Sequence, residues 1–230
     1  MRWKFILGLL TTCAVLMSMS YTMLIPFLPM YLIQDLGVVK ADVDMWSGAI
    51  FAITFLVSGI MAPIWGALAD KKSRKLMALR AGFCLAITYF LGGLVTNPWE
   101  LLGVRFIQGL SAGLWPALLA IISVESPKLK LGFCLGVMQG GMTAGGVLGP
   151  LFGGLLADQF GMRMAFFIAA AALFLITLAL LFFVKEEPRK PDPNAKPVKI
   201  WDFSLCKIPA VKRMLICAGV VQLTILMQQP

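Results

Sequence analysis

Six long apolar stretches set the limits on how this chain can fold. A helix that crosses about 30 Å of hydrocarbon needs roughly 20 residues. The chain offers such stretches at 5–31, 46–68, 76–95, 101–124, 131–156 and 164–184, which we call spans one to six. Because a helix satisfies its own backbone hydrogen bonds inside lipid, the pattern predicts an all-α membrane protein.

The composition also favours a lipid environment. Hydrophobic residues make up 60% of the chain and charged residues 13%, whereas soluble domains hold about 45–50% and about 25%. The net charge of +9 would favour a nucleic-acid partner for a soluble chain. Here the basic residues cluster in loops between the spans, so we expect the bilayer as partner and no nucleic acid.

The basic residues predict the orientation of the chain. The only basic residues in the loops on one side are Lys40 and Arg163. The other side carries Arg2, Lys4, Lys71, Lys72, Arg74, Lys75, Lys128, Lys130 and the bases between residues 185 and 213. The positive-inside rule makes this crowded side cytoplasmic, and the N-terminus with it.

The domain organisation follows from the spans. Residues 1–184 are predicted to form a six-helix bundle. Residues 185–213 begin with the charged, proline-rich run K-E-E-P-R-K-P-D-P-N-A-K-P, which is typical of a linker. Residues 214–230 are apolar but too few for a comfortable span. We expect them to be the truncated start of a second bundle.

Two similar five-residue segments predict an internal repeat within the bundle. Gly66-Ala-Leu-Ala-Asp70 recurs as Gly154-Leu-Leu-Ala-Asp158, at the ends of spans two and five. With three helices in each unit, these two ends face opposite sides of the membrane. An inverted three-plus-three repeat has this property.

Arg105 is the clearest ionisable side chain inside a span. An arginine in the membrane costs at least about 2.5–3.5 kcal/mol, so it should face a wet cavity or a partner. One helical face would carry Arg105, Gln108, Ala112 and Trp115. Gly109 and Gly113 offer close helix approach on a neighbouring face. Arg80, one turn inside span three, is predicted to snorkel to the cytoplasmic surface. The alternative for Arg105 is a structural arginine bonded to helix carbonyls.

Span five is exceptionally rich in glycine. The run G-V-M-Q-G-G-M-T-A-G-G-V-L-G-P-L-F-G-G covers residues 136–154. Gly145, Gly149 and Gly153 share one face, and Pro150 removes a backbone donor between them. Such a stripe permits very close helix packing, and proline permits a bend. We therefore predict a packing seam that also hinges or seals.

Polar side chains in the spans predict a substrate cavity. Span one holds a polar patch before a kink at Pro26 and Pro29, which suits a cavity wall. Span six offers only Thr177, so we expect it to face lipid. The predicted cavity residues are Ser18, Tyr21, Thr22, Trp115, Gln139 and Thr143.

The sequence contains no sign of catalysis. There is no histidine, and we find no nucleotide-binding loop, catalytic triad or metal-ligand spacing. We therefore expect no enzyme activity, no cofactor and no metal, and an energy source other than ATP if the chain transports a substrate.

Three ordered motifs resemble a known family. Gly66-Ala-Leu-Ala-Asp70-Lys-Lys-Ser-Arg74-Lys75 resembles the major facilitator loop signature between helices two and three. Arg105-Phe-Ile-Gln108-Gly109 is similar to the family's helix-four motif. Gly145-x-x-x-Gly149-Pro150-x-x-Gly153-Gly154 resembles the helix-five antiporter motif of drug:proton exporters. The chain is thus identified as a member of the major facilitator superfamily, in its twelve-helix drug:proton branch.

The resemblance implies two six-helix halves that rock around a central cavity in a bacterial inner membrane. It implies a cytoplasmic latch formed by Gly66, Asp70, Lys71, Arg74, Lys75 and Glu125. It implies that Arg105, with Gln108 and Gly109, couples protons to an amphipathic or lipophilic substrate. The motif Gly145, Gly149, Pro150, Gly153 and Gly154 would contact the second half, which transport requires.

Two departures leave alternatives open. Ser73 stands where the loop signature usually has glycine, so the turn is expected to be tighter or less regular. No carboxylate lies deep in spans one to six, so the proton carrier is not visible. The alternatives are a sugar, organic-anion or osmolyte carrier of the same fold, and a non-transporting truncated fragment.

Overall fold

The computed structural model describes residues 2–71 and 73–184, with isolated positions 213 and 217, and it leaves out the side chains of residues 2, 70 and 71. The predicted linker 185–213 and partial span 214–230 lie outside the described residues apart from those two positions. Eight α-helices are found in the described part: α1 Arg2–Met23, α2 Leu28–Gln34, α3 Val43–Lys71, α4 Arg74–Leu94, α5 Pro98–Leu110, α6 Leu114–Glu125, α7 Leu131–Phe160 and α8 Met162–Phe183. Short 3-10 turns at Lys40–Asp42 and Lys128–Lys130 precede α3 and α7.

The six predicted spans are confirmed. Helices long and apolar enough to cross a membrane run over Trp3–Met23, Lys40–Ala69, Arg74–Leu94, Pro98–Glu125, Lys128–Phe160 and Met162–Phe183. The boundaries differ from prediction by a few residues. Span five, for example, continues through Ala157-Asp-Gln-Phe160 and ends at Gly161, whose φ is +80°.

Two of the spans are broken. Span one is interrupted between α1 and α2 by turns over residues 24–27, as the prolines predicted. Span four breaks between α5 and α6, which the sequence reasoning did not predict. Gly113 occupies the break with φ +119°, a conformation that only glycine adopts readily. The expected single face through residues 105, 108, 112 and 115 is therefore wrong, because Trp115 belongs to a separate helix.

The helix pairing fits the internal repeat. The most extensive contacts join α1 with α7, α3 with α5, and α4 with α8. In terms of spans, one packs on five, two on four, and three on six. This pattern is unchanged when the first three spans are exchanged with the last three, as a three-plus-three repeat requires.

The glycine stripe of α7 packs against α1. A methyl group at Gly149 would lie 2.7 Å from the carbonyl oxygen of Met19, and one at Gly153 would lie 2.8 Å from that of Met23. At Gly145 it would meet the carbonyl of Val15. The close packing of this seam is thus confirmed, with these three glycines against a helix of the same half. Its role as a hinge or seal and the contact of the motif with a second half stay predictions. Pro150 does not break α7, which is continuous over Leu131–Phe160.

Helix α8 faces lipid on one side only. Thr177 is buried against α4, where a methyl group added to Gly82 would lie 2.5 Å from the Thr177 hydroxyl. Exposed side chains such as Phe174, Leu175 and Phe182 form the opposite face. Small residues on α4 let the polar threonine pack inward, which the apolar composition of span six did not reveal.

Charged loop residues lie at opposite ends of the bundle. The Lys130 ammonium lies 5.4 Å from the centroid of the Trp3 ring, near the start of α1. At the other end, Nε of Arg163 lies 3.2 Å from Oδ1 of Asp35 and joins α8 to the end of span one. The bundle therefore keeps the basic and the sparsely charged loops apart.

Candidate substrate cavity and coupling arginine

A cavity of about 240 Å³ lies among α1, α3, α4, α5, α6 and α7. Most of its wall is apolar. Its polar side chains are Ser18, Tyr21, Thr54, Ser58, Tyr89, Gln108, Ser111 and Trp115. The break in span four lies at this wall, since Ser111, Ala112 and Gly113 all line the cavity. The arrangement can hold a small apolar or amphipathic molecule and offer it a few hydrogen bonds.

Three of the six predicted cavity residues line this space, namely Ser18, Tyr21 and Trp115. Thr22 lies instead in the seam with α7: its hydroxyl donates to the Ser18 carbonyl at 2.9 Å and reaches the Gly145 carbonyl at 3.5 Å. The prediction for Thr22 fails because the glycine stripe draws α7 onto this side of α1.

Gln139 and Thr143 do not line the cavity either. Both are exposed on α7, and the Thr143 hydroxyl donates to the Gln139 carbonyl at 3.0 Å within that helix.

Arg105 is buried behind Gln108, which lines the cavity, although Arg105 itself does not. It is 4% exposed, and its Nη1 donates to Oε1 of Gln108 at 3.0 Å. Its Nη2 is buried and has no hydrogen-bond partner among the described residues. A guanidinium held in apolar surroundings with a free donor is poised to attract an acceptor or an anion.

The backbone around Arg105 is fixed to α3. The hydroxyl of Thr54 donates to the Ile50 carbonyl at 3.0 Å and reaches the Arg105 carbonyl at 3.3 Å. A methyl group at Gly109 would lie 2.8 Å from the carbonyl oxygen of Thr54, so only glycine permits this approach. Gly109 thus positions α5, as its predicted role in close packing implies.

Tyr89 was missed by the sequence reasoning. It is 2% exposed, lines the cavity next to Gln108, and its hydroxyl has no partner within the described part of the chain. Together with Tyr21 it places two phenol groups near Arg105. The available signal was the rarity of tyrosine, since the chain has only three.

Arg80 does not snorkel, which corrects the prediction. Its guanidinium carbon lies 3.4 Å from the centroid of the Trp65 ring, and its Nη2 donates to the Ala112 carbonyl at 2.8 Å. Trp65 Nε1 donates to the Leu110 carbonyl at 2.8 Å. The break in span four frees these carbonyls from the helix, and they hold Arg80 inside the bundle.

The predicted latch is described only in part. Ser73 caps α4, its Oγ accepting from the Leu76 N–H at 3.0 Å. The turn before it includes residue 72, which lies outside the described residues, so the expectation about its shape stays a prediction. Serine is a favoured N-cap, which explains the departure from glycine. Lys75 donates to the Leu181 carbonyl at 2.6 Å. The side chains of Asp70 and Lys71 lie outside the described residues.

Gly66 and Arg74 lie together at the wall of a second cavity between α3 and α4. Glu125, the remaining predicted member of the latch, is the half-buried last residue of α6. The latch therefore stays a prediction, with two of its members brought to one place by the fold.

Six membrane-length spans, five of which line a mostly apolar cavity with a few polar side chains, define a multi-pass membrane protein of the transporter type. The family model described as Major Facilitator Superfamily matches residues 10–227, and the chain belongs to that superfamily. Over 186 residues it is 43% identical to the Multidrug resistance protein MdtG of Citrobacter koseri, a match that covers 80% of this chain and 46% of the relative. The protein of the same name from Yersinia enterocolitica is 41% identical, with 81% and 45% covered. The chain thus spans about half the length of these curated relatives.

Solved structures show the same fold. A bacterial homolog of the human lysosomal transporter Spinster, in an inward-facing and unoccupied conformation, matches with a TM-score of 0.70 and 22% identity, over 90% of this chain and 48% of that one. The POT family transporter PepTSo matches with a TM-score of 0.69 and 14% identity, over 82% and 40%. The described bundle therefore fits the N-terminal half of a major facilitator fold, as the motifs implied.

Proposed function

We propose that this chain is the N-terminal half of a secondary transporter that exports amphipathic or lipophilic compounds in exchange for protons. The observation that carries the proposal is Arg105, which is buried behind Gln108 of the cavity wall and has an Nη2 without a partner among the described residues. The apolar lining of the cavity suits lipophilic cargo. The likeness to the MdtG proteins, named for multidrug resistance, supports efflux of more than one compound.

Arg105 would couple cargo to protons through its charge. Arginine is a cation in proteins, and no acidic residue lines the cavity within the described ranges. Binding a lipophilic cation beside it is unfavourable unless a negative charge is present. A carboxylate supplied by a second half would bind a proton when the cargo is absent and would attract the cationic cargo when the proton is released. The charge of Arg105 would set the proton affinity of that carboxylate.

Transport would require a C-terminal six-helix half. In the most apolar 18 residues of spans two and five, only 11% and 17% of the residues are buried, against 39–50% in the other four spans. These two spans occupy equivalent positions in the repeat, and they expose side chains such as Phe55, Leu56, Leu151 and Phe152. We propose that the second half packs on them, that residues 185–213 link the halves, and that residues 214–230 begin the second bundle.

The orientation and the latch belong to the same proposal. The bases at the start of α1 and around Lys130 would face the cytoplasm of a bacterial cell, with Arg163 outside. Gly66, Asp70 and Arg74 would then form the cytoplasmic latch between halves.

Proton-driven export tests the proposal. In the complete two-half protein, Arg105→Ala is expected to lower the export of ethidium driven by a pH gradient in everted vesicles by at least about tenfold. Arg163→Ala is the matched control, because that arginine pairs with Asp35 at the far end and should leave export unchanged. Equal export by wild type and Arg105→Ala would contradict the coupling role.

Co-expression tests the need for a second half. The 230-residue chain expressed alone should not export ethidium, whereas the chain together with a separately expressed C-terminal half should. Failure of every such pairing would favour the non-transporting fragment.

An organic-anion, sugar or osmolyte carrier is the second candidate, and the unpaired Nη2 of Arg105 is the observation that favours an anion. A counterflow panel of anions, sugars and lipophilic cations separates these candidates. Exchange of anions alone would replace the drug-export reading.

A further inference from the structure

A second cavity of about 250 Å³ lies between α3, α4 and α6, and no part of the proposed coupling mechanism uses it. It meets the first cavity at the break in span four, since Ser58, Ala112, Gly113 and Pro116 line both. At its other end it reaches Gly66 and Arg74, near the turn between α3 and α4. A molecule in this cavity would lie between the loop end of the bundle and the first cavity.

The charged side chains described at the wall of this cavity are basic. Arg74 and Arg80 line it, and no acidic side chain does so among the residues described. The rest of the wall is largely apolar, with Ala62, Met77 and Ala117 among its residues. In low-dielectric surroundings a guanidinium such as that of Arg80 favours an anion beside it.

Arg80 presents hydrogen-bond donors that the protein does not use. Its Nη2 is bonded to the Ala112 carbonyl, but Nε and Nη1 are buried without a partner in the described part of the chain. Leaving buried donors unsatisfied costs about 1–3 kcal/mol each, or more for a charged group. The Trp65 ring covers one face of the guanidinium, which leaves the edges that carry the N–H groups. A carboxylate binds along such an edge.

The start of α6 adds to this preference. Its N-cap is Gly113, which supplies no side-chain cap, and Gly113 and Pro116 both lie at the cavity. The N-terminal end of a helix carries a partial positive charge. The break in span four thus places the N-terminal end of a half-helix at the wall of the space that Arg80 lines.

We propose that this second cavity binds the carboxylate of a small organic anion, with Arg80 as its main donor and the apolar part of the ligand against Met77 and Ala117. As a statement about cargo, the proposal rests on the proposed transport function. Binding does not, because every residue involved belongs to this chain. An oxyanion could also come from phosphate, free or in a lipid headgroup, and the test includes that source.

The test measures binding to the purified 230-residue chain in detergent. The probes are benzoate, its neutral isostere benzamide, and inorganic phosphate. Wild type should bind benzoate about tenfold or more tightly than benzamide, because only benzoate gains charge-assisted hydrogen bonds. Benzoate should also bind more tightly than phosphate, since the apolar wall contacts its ring. In Arg80→Gln the preference for benzoate over benzamide should disappear.

Two further variants keep the result interpretable. Arg80→Lys retains the charge but not the planar fork, so it should keep part of the preference. Arg163→Gln is the matched control and should keep all of it. Thermal unfolding of each variant tests whether it is folded. If Arg80→Gln is unfolded, the proposal is decided by the ratio of benzoate to benzamide affinity in wild type and in Arg80→Lys.

Three outcomes would overturn the proposal. The first is equal binding of benzoate and benzamide by wild type. The second is phosphate binding more tightly than benzoate, which would assign the site to a phosphate source. The third is a preference that survives in Arg80→Gln and is lost in Arg105→Gln, which would place the anion in the first cavity. None depends on export, so failure of the transport proposal would be seen separately.

Discussion

Spans four and five differ in helix continuity, and the difference is the reverse of what their proline and glycine content indicates. Span five carries Pro150 and a run of glycines, yet α7 is continuous for 30 residues. Span four has Pro98 and Pro116 only at helix starts, yet it breaks at Gly113. Local helix propensity therefore does not decide where these helices end.

Tertiary partners explain the difference. In span five the glycine face fits closely along α1, so packing fixes the helix axis on both sides of Pro150. In span four the carbonyls freed by the break are hydrogen-bonded by Trp65 and Arg80 from neighbouring helices. A backbone group in lipid must be satisfied internally, and span four meets this requirement with side chains instead of a continuous helix.

The largest effect is expected from filling the seam of span five. Gly149→Ala would bring a methyl group against the Thr22 hydroxyl and 2.7 Å from the Met19 carbonyl oxygen. Backbone atoms cannot move aside cheaply, so we expect a loss of about 3 kcal/mol in the free energy of unfolding. An SDS unfolding titration of the purified chain measures it. Gly140→Ala, in the same helix with no atom within 4 Å of the added methyl group, should cause no loss, and a comparable loss there would undo the seam interpretation.

The next effect concerns the break in span four. Gly113→Ala places a side chain at φ +119°, which should cost about 1–2 kcal/mol. The same titration measures the change. Gly103→Ala lies in a helical part of the span with open space around it and serves as the matched control. If both variants were equally stable, the break would not depend on the conformation of Gly113.

A smaller effect tests the side chains that satisfy the break. Trp65→Phe keeps a ring beneath Arg80 but removes the donor to the Leu110 carbonyl. We expect a loss of about 1 kcal/mol in the free energy of unfolding. Trp99→Phe is the control because Trp99 is 70% exposed. An unchanged stability of Trp65→Phe would show that the carbonyl does not need this donor.

The smallest effect is expected at Pro150. Since α7 is continuous there, Pro150→Ala should change the free energy of unfolding by less than about 1 kcal/mol in either direction. Circular dichroism should show the same helix content. A marked gain in helix content would mean that proline had been breaking span five after all.

The spans, the kink in span one, the glycine seam and the buried Arg105 could all be predicted from sequence. Each depends on a local pattern of apolar length, glycine spacing or an isolated charge. The break at Gly113 and the inward placement of Arg80 could not, because both depend on which helices pack together. Thr22, Gln139 and Thr143 were misplaced for the same reason: polarity shows that a residue needs a partner, but not which face of its helix packs inward.

The central claim is that Arg105 couples cargo to protons, and substrate-induced proton release tests it most directly. Ethidium is added to the complete two-half protein in lightly buffered detergent solution with a pH indicator. Wild type should release protons as ethidium binds. Arg105→Gln should still bind ethidium but release none, whereas Arg163→Gln should behave like wild type. Full proton release by Arg105→Gln would contradict the account.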